Sequence, residues 1–262
     1  MVLLLQYTLI FASVLILVAL GGCFAEHSGV INLGLEGIMI MGALGGALAM
    51  RYISPNVPAI VMILGVLAIS ALVGMIYSCL LAVACFYFKA DQTLVGTAGA
   101  TVIVKAINTA ANPDDVSSIV QYAGAKKAFT VNLGSFEFSW FMLVTALLLA
   151  ASYVLLYKTR FGLRLMACGE HPQAADSVGI NVYKMRWAGV LISGFLGGIG
   201  GIVFITAGVS EWRFEYGVAG FGFLSLAVMI FGQWKPQRIA LAALLFGPVS
   251  DTPLTLPTTS RV

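Results

Sequence analysis

Long stretches without a charged side chain limit what this chain can fold into more than any other feature of its sequence. Residues 57–88 contain no Asp, Glu, Lys or Arg, and neither do residues 2–24 or 138–157. Only 10% of the 262 residues are charged and 60% are apolar, whereas soluble domains carry about 25% charged residues. So few charged side chains cannot cover a soluble surface. The sequence therefore predicts an all-α, polytopic bundle of membrane helices.

Eight apolar runs approach the roughly 20 residues that a helix needs to cross a bilayer. They lie at residues 2–24, 29–50, 57–88, 92–111, 138–157, 187–209, 217–234 and 239–250. The run at 92–111 is interrupted by Lys105, so it either crosses or re-enters. The run at 187–209 holds the pairs Gly194/Gly198 and Gly197/Gly201, which predict close contact between helices. We therefore expect about eight spans.

A short glycine motif occurs twice in the chain. Gly29-Val30…Gly34 opens the second run, and Gly217-Val218…Gly222 opens the seventh. The two runs are five spans apart and would cross in opposite directions, as in the inverted repeats of transporters. A five-plus-five repeat needs more spans than follow residue 239. We therefore expect residues 1–250 to form a transmembrane domain truncated at its C-terminus, followed by a polar tail at residues 251–262.

Motifs for enzymatic chemistry are missing from the sequence. It has no Gly-x-x-x-x-Gly-Lys-Ser/Thr phosphate loop, no Gly-x-Ser-x-Gly and no His-Glu-x-x-His. Two histidines, and four cysteines without a Cys-x-x-Cys pair, offer no metal or disulfide framework. A net charge of +3 without a basic cluster excludes a nucleic-acid surface. We expect no catalytic residue, no metal, no cofactor and no nucleic-acid partner.

Glu36 is an acidic residue inside the second apolar run. Keeping a carboxylate there costs about 2.5 kcal/mol or more unless it is paired, protonated or hydrated. In a helix that begins near Val30, Asn32 lies four residues before Glu36 on the same face, next to Gly34 and Gly37. Two interpretations stay open. These side chains line a substrate pathway, or Glu36 supports a break in the helix by binding freed backbone groups.

Residues 158–186 form a long polar connection. Its five Lys and Arg residues make it cytoplasmic by the positive-inside rule. Pro172 suits the first position of a two-turn helix, and Gly179 suits the position after its end. The basic residues 161–164 before it are expected to be flexible. We interpret the helix as a docking element, in which the small Ala175 allows a partner to approach closely, rather than as part of an ordinary solvated loop.

Two segments of the chain resemble the signatures of ABC-importer permeases. They are residues 26–37, Glu-His-Ser-Gly-Val-Ile-Asn-Leu-Gly-Leu-Glu-Gly, and residues 161–182, which contain Gly-Glu-His-Pro-Gln-Ala-Ala-Asp-Ser-Val-Gly. The likeness extends over most of the chain and is strongest to nucleoside and simple-sugar uptake permeases, related to the ribose and branched-chain amino-acid permeases. It implies a bacterial cytoplasmic-membrane subunit that moves a nucleoside or simple sugar by alternating access, with ATP hydrolysed on another chain.

The resemblance also implies partners and site residues. The partners are a second permease subunit, a cytoplasmic ABC ATPase and an extracytoplasmic substrate-binding lipoprotein, besides membrane lipid. The ATPase-coupling residues are predicted to be Gly169, Glu170, Pro172, Ala174, Ala175, Asp176, Gly179 and Ile180. The substrate-pathway residues are predicted to be Asn32, Gly34, Glu36, Gly37, Phe221 and Gly222. After residue 247 the family continues with apolar helix, whereas this chain becomes polar.

An ion-coupled secondary transporter is the alternative at this point. Such a protein would use Glu36 as its proton or sodium site and would need no docking helix for an ATPase. The helix predicted at residues 172–178 therefore favours the ATP-driven importer. An intramembrane enzyme is less favoured, because the sequence lacks a nucleophile with its base or a set of metal ligands.

Overall fold

The computed structural model describes residues 2–52, 57–88, 90–111, 119–120, 129–133, 136–208, 212–213 and 217–250. Ten helices lie within these residues: α1 (Val2–His27), α2 (Leu35–Tyr52), α3 (Ala59–Phe86), α4 (Gln92–Ala111), α5 (Trp140–Tyr157), α6 (Arg160–Glu170), α7 (Pro172–Ser177), α8 (Val182–Val203), α9 (Phe221–Phe231) and α10 (Pro236–Ser250). A π-helical turn, Phe204–Gly208, extends α8.

Each of the eight predicted apolar runs overlaps one of these helices. Within the described ranges, four helical segments are long and apolar enough to cross a membrane: Leu5–His27, Ala59–Ala84, Trp140–Tyr157 and Val182–Thr206. Shorter apolar segments lie in α4 and α9. The prediction of an all-α membrane protein is thus confirmed at the level of its helices.

Helix α8 lies at the centre of the bundle and packs against α1, α2 and α3. A Cβ added to Gly198 would lie 2.5 Å from the Ser70 carbonyl oxygen, and one added to Gly42 would overlap the backbone of Gly198. The Ser70 hydroxyl donates to the carbonyl oxygens of Gly42 at 2.6 Å and Gly198 at 2.7 Å. The other three glycines of the two predicted pairs make similar contacts with α2 or α3. The predicted helix contacts are confirmed.

The second predicted span is wrong at its start. Helix α2 begins at Leu35, and residues 28–34 are turn and irregular chain. Asn32 therefore precedes the helix and does not share a helical face with Glu36. The reason is local: Gly29 has a φ angle of +80°, and the Asn32 side chain binds the Gly34 amide at 3.2 Å. Such side-chain bonds to the backbone compete with helix formation.

The residues predicted to be flexible before the docking helix are helical. Residues 161–164 lie in α6, where the Thr159 hydroxyl accepts a hydrogen bond from the Gly162 amide at 3.3 Å and caps the helix. A Cβ added to Gly162 would overlap the carbonyl oxygens of Leu155 and Leu156. The glycine is therefore a point of close contact between α5 and α6, not a source of flexibility.

Short strands occur beside the helices, although none was predicted. Strands β1 (Ile119–Val120) and β4 (Trp212–Arg213) pair antiparallel, and β2 (Thr130–Leu133) forms an antiparallel hairpin with β3 (Phe136–Ser139). The ring of Phe129 stacks on that of Phe141 with centroids 5.2 Å apart, so the start of this hairpin packs on α5.

A tight turn joins α9 to α10 and binds the end of α1. Gln233 and Trp234 have positive φ angles of 52° and 55°. The Trp234 carbonyl oxygen accepts a hydrogen bond from the Cys23 thiol at 3.1 Å and lies 3.2 Å from Nε2 of His27. The Trp234 indole N–H donates to the Glu26 carboxylate. These contacts hold the α9–α10 hairpin against α1.

Candidate translocation and coupling sites

The first of the two signature stretches, residues 26–37, turns sharply after α1 and enters the bundle. It is called the signature segment below. Gly29 adopts a left-handed φ, a conformation that favours glycine. The buried Ser28 hydroxyl donates to the Ala25 carbonyl oxygen at 2.6 Å. The amides of Gly29 and Val30 donate to the last carbonyl oxygens of α1. The helix therefore ends with these carbonyl groups satisfied, and the turn directs the next residues inward.

Asn32 is 2% exposed and connects the signature segment to α8. Its amide nitrogen donates to the Ser193 hydroxyl at 2.9 Å, while its amide oxygen accepts from Gly34. Ser193 lies halfway along α8, about 16 Å from its first residue at about 1.5 Å per residue. Sequence reasoning missed Ser193, because a serine in a glycine-rich apolar run carries no signal for this contact.

Glu36 joins the start of α2 to the start of α9. Its carboxylate accepts hydrogen bonds from the amides of Gly220 at 2.9 Å and Gly222 at 2.6 Å, and the residue is 7% exposed. The first amides of a helix have no partner within that helix, so Glu36 caps α9 while lying in the first turn of α2. The partial positive charges of both helix N-termini favour a carboxylate there. As in the second interpretation, Glu36 binds backbone groups, but they belong to the start of α9 and not to a break in its own helix.

Glycine is required where α9 meets Glu36. A Cβ added to Gly222 would lie 2.5 Å from both the Cα atom and the amide nitrogen of Glu36. Gly220, the residue before α9, has a φ of +79°. Phe221, the first residue of α9, packs on the rings of Phe11 and Phe204 at centroid distances of 5.5 and 4.8 Å. Phe221 is thus held among aromatic side chains.

Two further predicted pathway residues, Gly34 and Gly37, bring the signature segment against α4. A Cβ added to Gly37 would overlap the Gly96 carbonyl oxygen, and Gly96 itself packs on the backbone of Gly34. The Tyr77 hydroxyl of α3 donates to the same Gly96 carbonyl oxygen at 2.7 Å. Among the predicted pathway residues, Gly34 and Gly37 thus contact α4, and Asn32 contacts α8. Glu36 contacts the start of α9, which contains Phe221 and Gly222.

Helix α9 is too short to cross a bilayer. Its 11 residues span about 16 Å at about 1.5 Å per residue, half of a hydrocarbon core of roughly 30 Å. Its C-terminal end is the turn at Trp234, which contacts the C-terminal end of α1. The other end, capped by Glu36, therefore lies well inside the bundle. Half-helices that begin near the midplane are typical of transporter binding regions.

The predicted docking helix is α7. Pro172 occupies its first position, and Gly179, just past its end, has a φ of +82°. Ala174 and Asp176 are exposed. Ala175, in contrast, is 4% exposed and faces its own chain. Helix α7 therefore packs its Ala175 side against the rest of the molecule, and its outward side carries Ala174 and Asp176.

The remaining predicted coupling residues lie at the ends of α6 and α7. A Cβ added to Gly169 would lie 2.5 Å from the His27 carbonyl oxygen, so the end of α6 contacts the end of α1. Glu170 is exposed. The Ile180 amide donates to the Ala175 carbonyl oxygen at 3.0 Å and closes the turn after α7. Helix α6 thus connects the coupling segment to the signature turn.

The polar side chains of this region bind one another and the backbone of neighbouring helices. Among the residues that the structure describes, no three His, Cys, Asp or Glu side chains are grouped to hold a metal ion. The Glu36 carboxylate binds backbone amides of α9. The polar groups near these two helix starts include the Asn32 amide, the Ser193 hydroxyl and the Glu36 carboxylate.

Comparison with known proteins identifies the family. Residues 4–258 match the model of the branched-chain amino acid transport system permease component. The chain is 41% identical over 251 residues to the guanosine ABC transporter permease protein NupQ of Bacillus subtilis, covering 92% of this chain and 78% of that protein. It is 37% identical to the nucleoside ABC transporter permease protein NupC of Lactococcus lactis, covering 91% and 78%.

A third relative is the putative glucose ABC transporter permease protein TsgC13 of Haloferax volcanii, which is 30% identical and covers 93% of this chain and 74% of that protein. These matches confirm the permease resemblance and do not favour an ion-coupled secondary transporter. Membership implies a complex with an ATPase and a substrate-binding protein. The chain belongs to the branched-chain amino acid permease family of ABC transporters, and it is a transport subunit rather than an enzyme.

Proposed function

We propose that the chain passes a nucleoside across the bacterial cytoplasmic membrane by alternating access, with a simple sugar as the alternative substrate. The observation that carries this proposal is the buried group of Asn32, Ser193 and Glu36 beside the start of a half-helix. Amide, hydroxyl and backbone groups suit an uncharged polar ligand. The names of NupQ and NupC support a nucleoside, and that of TsgC13 supports a sugar.

The proposed pathway runs along the starts of α2 and α9. It is formed by Asn32, Gly34, Glu36, Gly37, Phe221 and Gly222. Glycines at the close contacts with Gly96 and Glu36 let small shifts of one backbone act directly on the other. In this proposal Glu36 holds the start of α9 in place, and Asn32 links the signature segment to α8.

The proposal includes an inverted five-plus-five repeat, with about eight spans in this chain. Gly29 and Gly217 both have positive φ angles, +80° and +54°. Five residues later, Gly34 and Gly222 lie at the starts of α2 and α9. These parallels support the repeat, in which the two helix starts are related elements.

The proposed partners bind different parts of the chain. A cytoplasmic ATPase binds residues 158–186, in which Gln173 and Ala174 of α7, and Val178 just after it, are exposed. A second permease subunit completes the pathway, and an extracytoplasmic lipoprotein delivers the substrate. The charge of residues 158–186 supports their cytoplasmic position.

ATP-driven uptake tests the proposed function. The permease, co-expressed with the other subunits of its transporter, is reconstituted in vesicles with ATP on the ATPase side, and labelled guanosine and glucose are offered separately. We expect ATP-dependent accumulation of guanosine that an ionophore does not change. Uptake that needs an ion gradient but no ATP would contradict the proposal, and accumulation of glucose alone would replace the nucleoside by the sugar.

Replacing Ala174 by Trp should weaken binding of the ATPase. Ala174 is exposed on α7, so a large side chain leaves the fold of this chain intact but overpacks a closely fitted partner, at a cost of about 1–3 kcal/mol. The affinity for the ATPase, measured by co-purification, should fall about 5- to 150-fold by that range. Gln237→Trp, at an exposed position of α10 outside residues 158–186, is the control. Equal ATPase binding by A174W and wild type would show that α7 does not dock.

A further inference from the structure

A groove lies beside α7, at the point where the chain enters α8. It has a volume of about 420 Å³ and is lined by Pro172, Gln173, Asp176, Asn181, Val182, Tyr183 and Arg186. One wall is therefore the docking helix, and the other is the first turn of the central helix. Whatever fills this groove contacts both elements at once.

Arg186 reaches from this groove to the signature turn. A Cβ added to Gly29 would lie 3.4 Å from the Cα atom of Gly169 and 3.9 Å from Nε of Arg186. That Nε is buried and has no hydrogen-bond partner among the described residues. Burial raises the pKa of the Cys168 thiol, and the Arg186 guanidinium opposes that rise, consistent with their closeness. Arg186 is thus packed between the groove, the end of α6 and the Gly29 turn.

Beyond Arg186, the same face of α8 contacts further residues of the signature segment. Residues Arg186, Gly189 and Ser193 are three and four positions apart and share a helix face. A Cβ added to Gly189 would lie 2.5 Å from the Ser28 side chain, and Ser193 binds Asn32. The first three turns of α8 therefore follow the signature segment from the groove to the proposed pathway.

We propose that Arg186 is a positioning residue that transmits docking at the α7 groove to the Gly29 turn, so that it sets how much substrate moves for each ATP hydrolysed. The inference rests on the proposed function. The ATPase group that enters the groove displaces Arg186 or the first turn of α8. Because Arg186, Gly189 and Ser193 share one face of α8, this displacement shifts the turn at Gly29 and the hydrogen bond between Ser193 and Asn32.

The test is the number of substrate molecules transported per ATP hydrolysed in the reconstituted complex. R186Q removes the charge and the fork of donors but keeps most of the length. We expect its ATPase subunit to co-purify and hydrolyse ATP, while transport per ATP falls about 2- to 30-fold, the range for changes that alter coupling between distant sites. R186K should lie between, and K235Q, which removes an exposed charge outside residues 158–186, should match wild type.

Three results would overturn the inference. They are an unchanged ratio in R186Q, an equal fall in K235Q, or loss of the ATPase from the R186Q complex, which would make Arg186 a docking residue. If R186Q does not yield a stable complex, R186K decides, and a wild-type ratio in R186K counts against the inference. A wild-type complex that transports nothing with ATP would instead refute the proposed function.

A double variant tests the route along α8. S193A removes the hydrogen bond from Asn32, so the additional effect of R186Q should be smaller in the S193A background than in wild type. Full additivity of the two effects on the coupling ratio would show that they act independently and would exclude α8 as the route.

Discussion

Replacing Glu36 by Ala should abolish ATP-driven uptake and lower the stability of the complex. The change leaves the buried amides of Gly220 and Gly222 without their acceptor, and each orphaned group costs about 1–3 kcal/mol. Together the two losses are expected to lower the free energy of unfolding by about 2–6 kcal/mol. E36Q keeps one acceptor oxygen but turns an amide donor toward a backbone donor, so about half of the loss is expected. Thermal unfolding of the purified complex and uptake in vesicles measure both effects.

The matched control for Glu36 is Asp91→Asn. Asp91 is exposed, and its carboxylate accepts a hydrogen bond from the Leu94 amide at the start of α4 at 2.9 Å. Asn caps a helix about as well as Asp, so this acid-to-amide change should leave stability and uptake unchanged. If E36Q is as stable as wild type but its uptake collapses with an ionophore at constant ATP, Glu36 acts in ion coupling rather than as a cap.

Gly37→Ala should prevent the normal packing of α2 against α4. The new methyl group would overlap the Gly96 carbonyl oxygen, which cannot move aside easily because the Tyr77 hydroxyl binds it. Overpacking costs about 1–3 kcal/mol and occasionally more, and a clash with backbone belongs at the upper end. We expect little folded complex in detergent and no uptake. Fluorescence-detected size-exclusion chromatography measures the folded fraction.

Gly99→Ala serves as the control for this change. It adds the same methyl group to α4 less than one turn away, where the neighbour is the Tyr77 hydroxyl at 3.1 Å. The end of a side chain can shift by a few tenths of an ångström, so G99A should fold and transport. A G37A complex as stable as G99A would show that α2 and α4 are not in close backbone contact in the membrane.

The helices themselves could be predicted because their signal is local. Residues 92–111, interrupted by Lys105, form α4 (Gln92–Ala111) as predicted, since an apolar run with few charges is sufficient. The glycine pairs of α8 were also interpreted correctly, because small residues four apart leave one face open to another backbone. Pro172 and Gly179 marked α7 through their own backbone preferences.

The contacts of the candidate site could not be predicted in the same way. The carboxylate of Glu36 binds amides that lie 184 and 186 residues later in the chain, and the sequence around Glu36 contains no information on that partner. The orientation of Ala175 depends on how α7 packs, which a six-residue helix does not reveal by its pattern. Arg186 looked like one of several loop charges, although it begins the face of α8 that follows the signature segment.

The glycine contacts among α2, α3 and α8 have a consequence for where conformational change can occur. Where Gly42 and Gly198 bring backbone against backbone, no side chain intervenes whose rotamer could change, so the three helices cannot slide past one another by small steps. We therefore expect them to move as one rigid body, with internal distances that stay constant during transport. The motion is left to the contacts made by side chains and turns, such as the hairpin of α9 and α10 that Trp234 holds against α1.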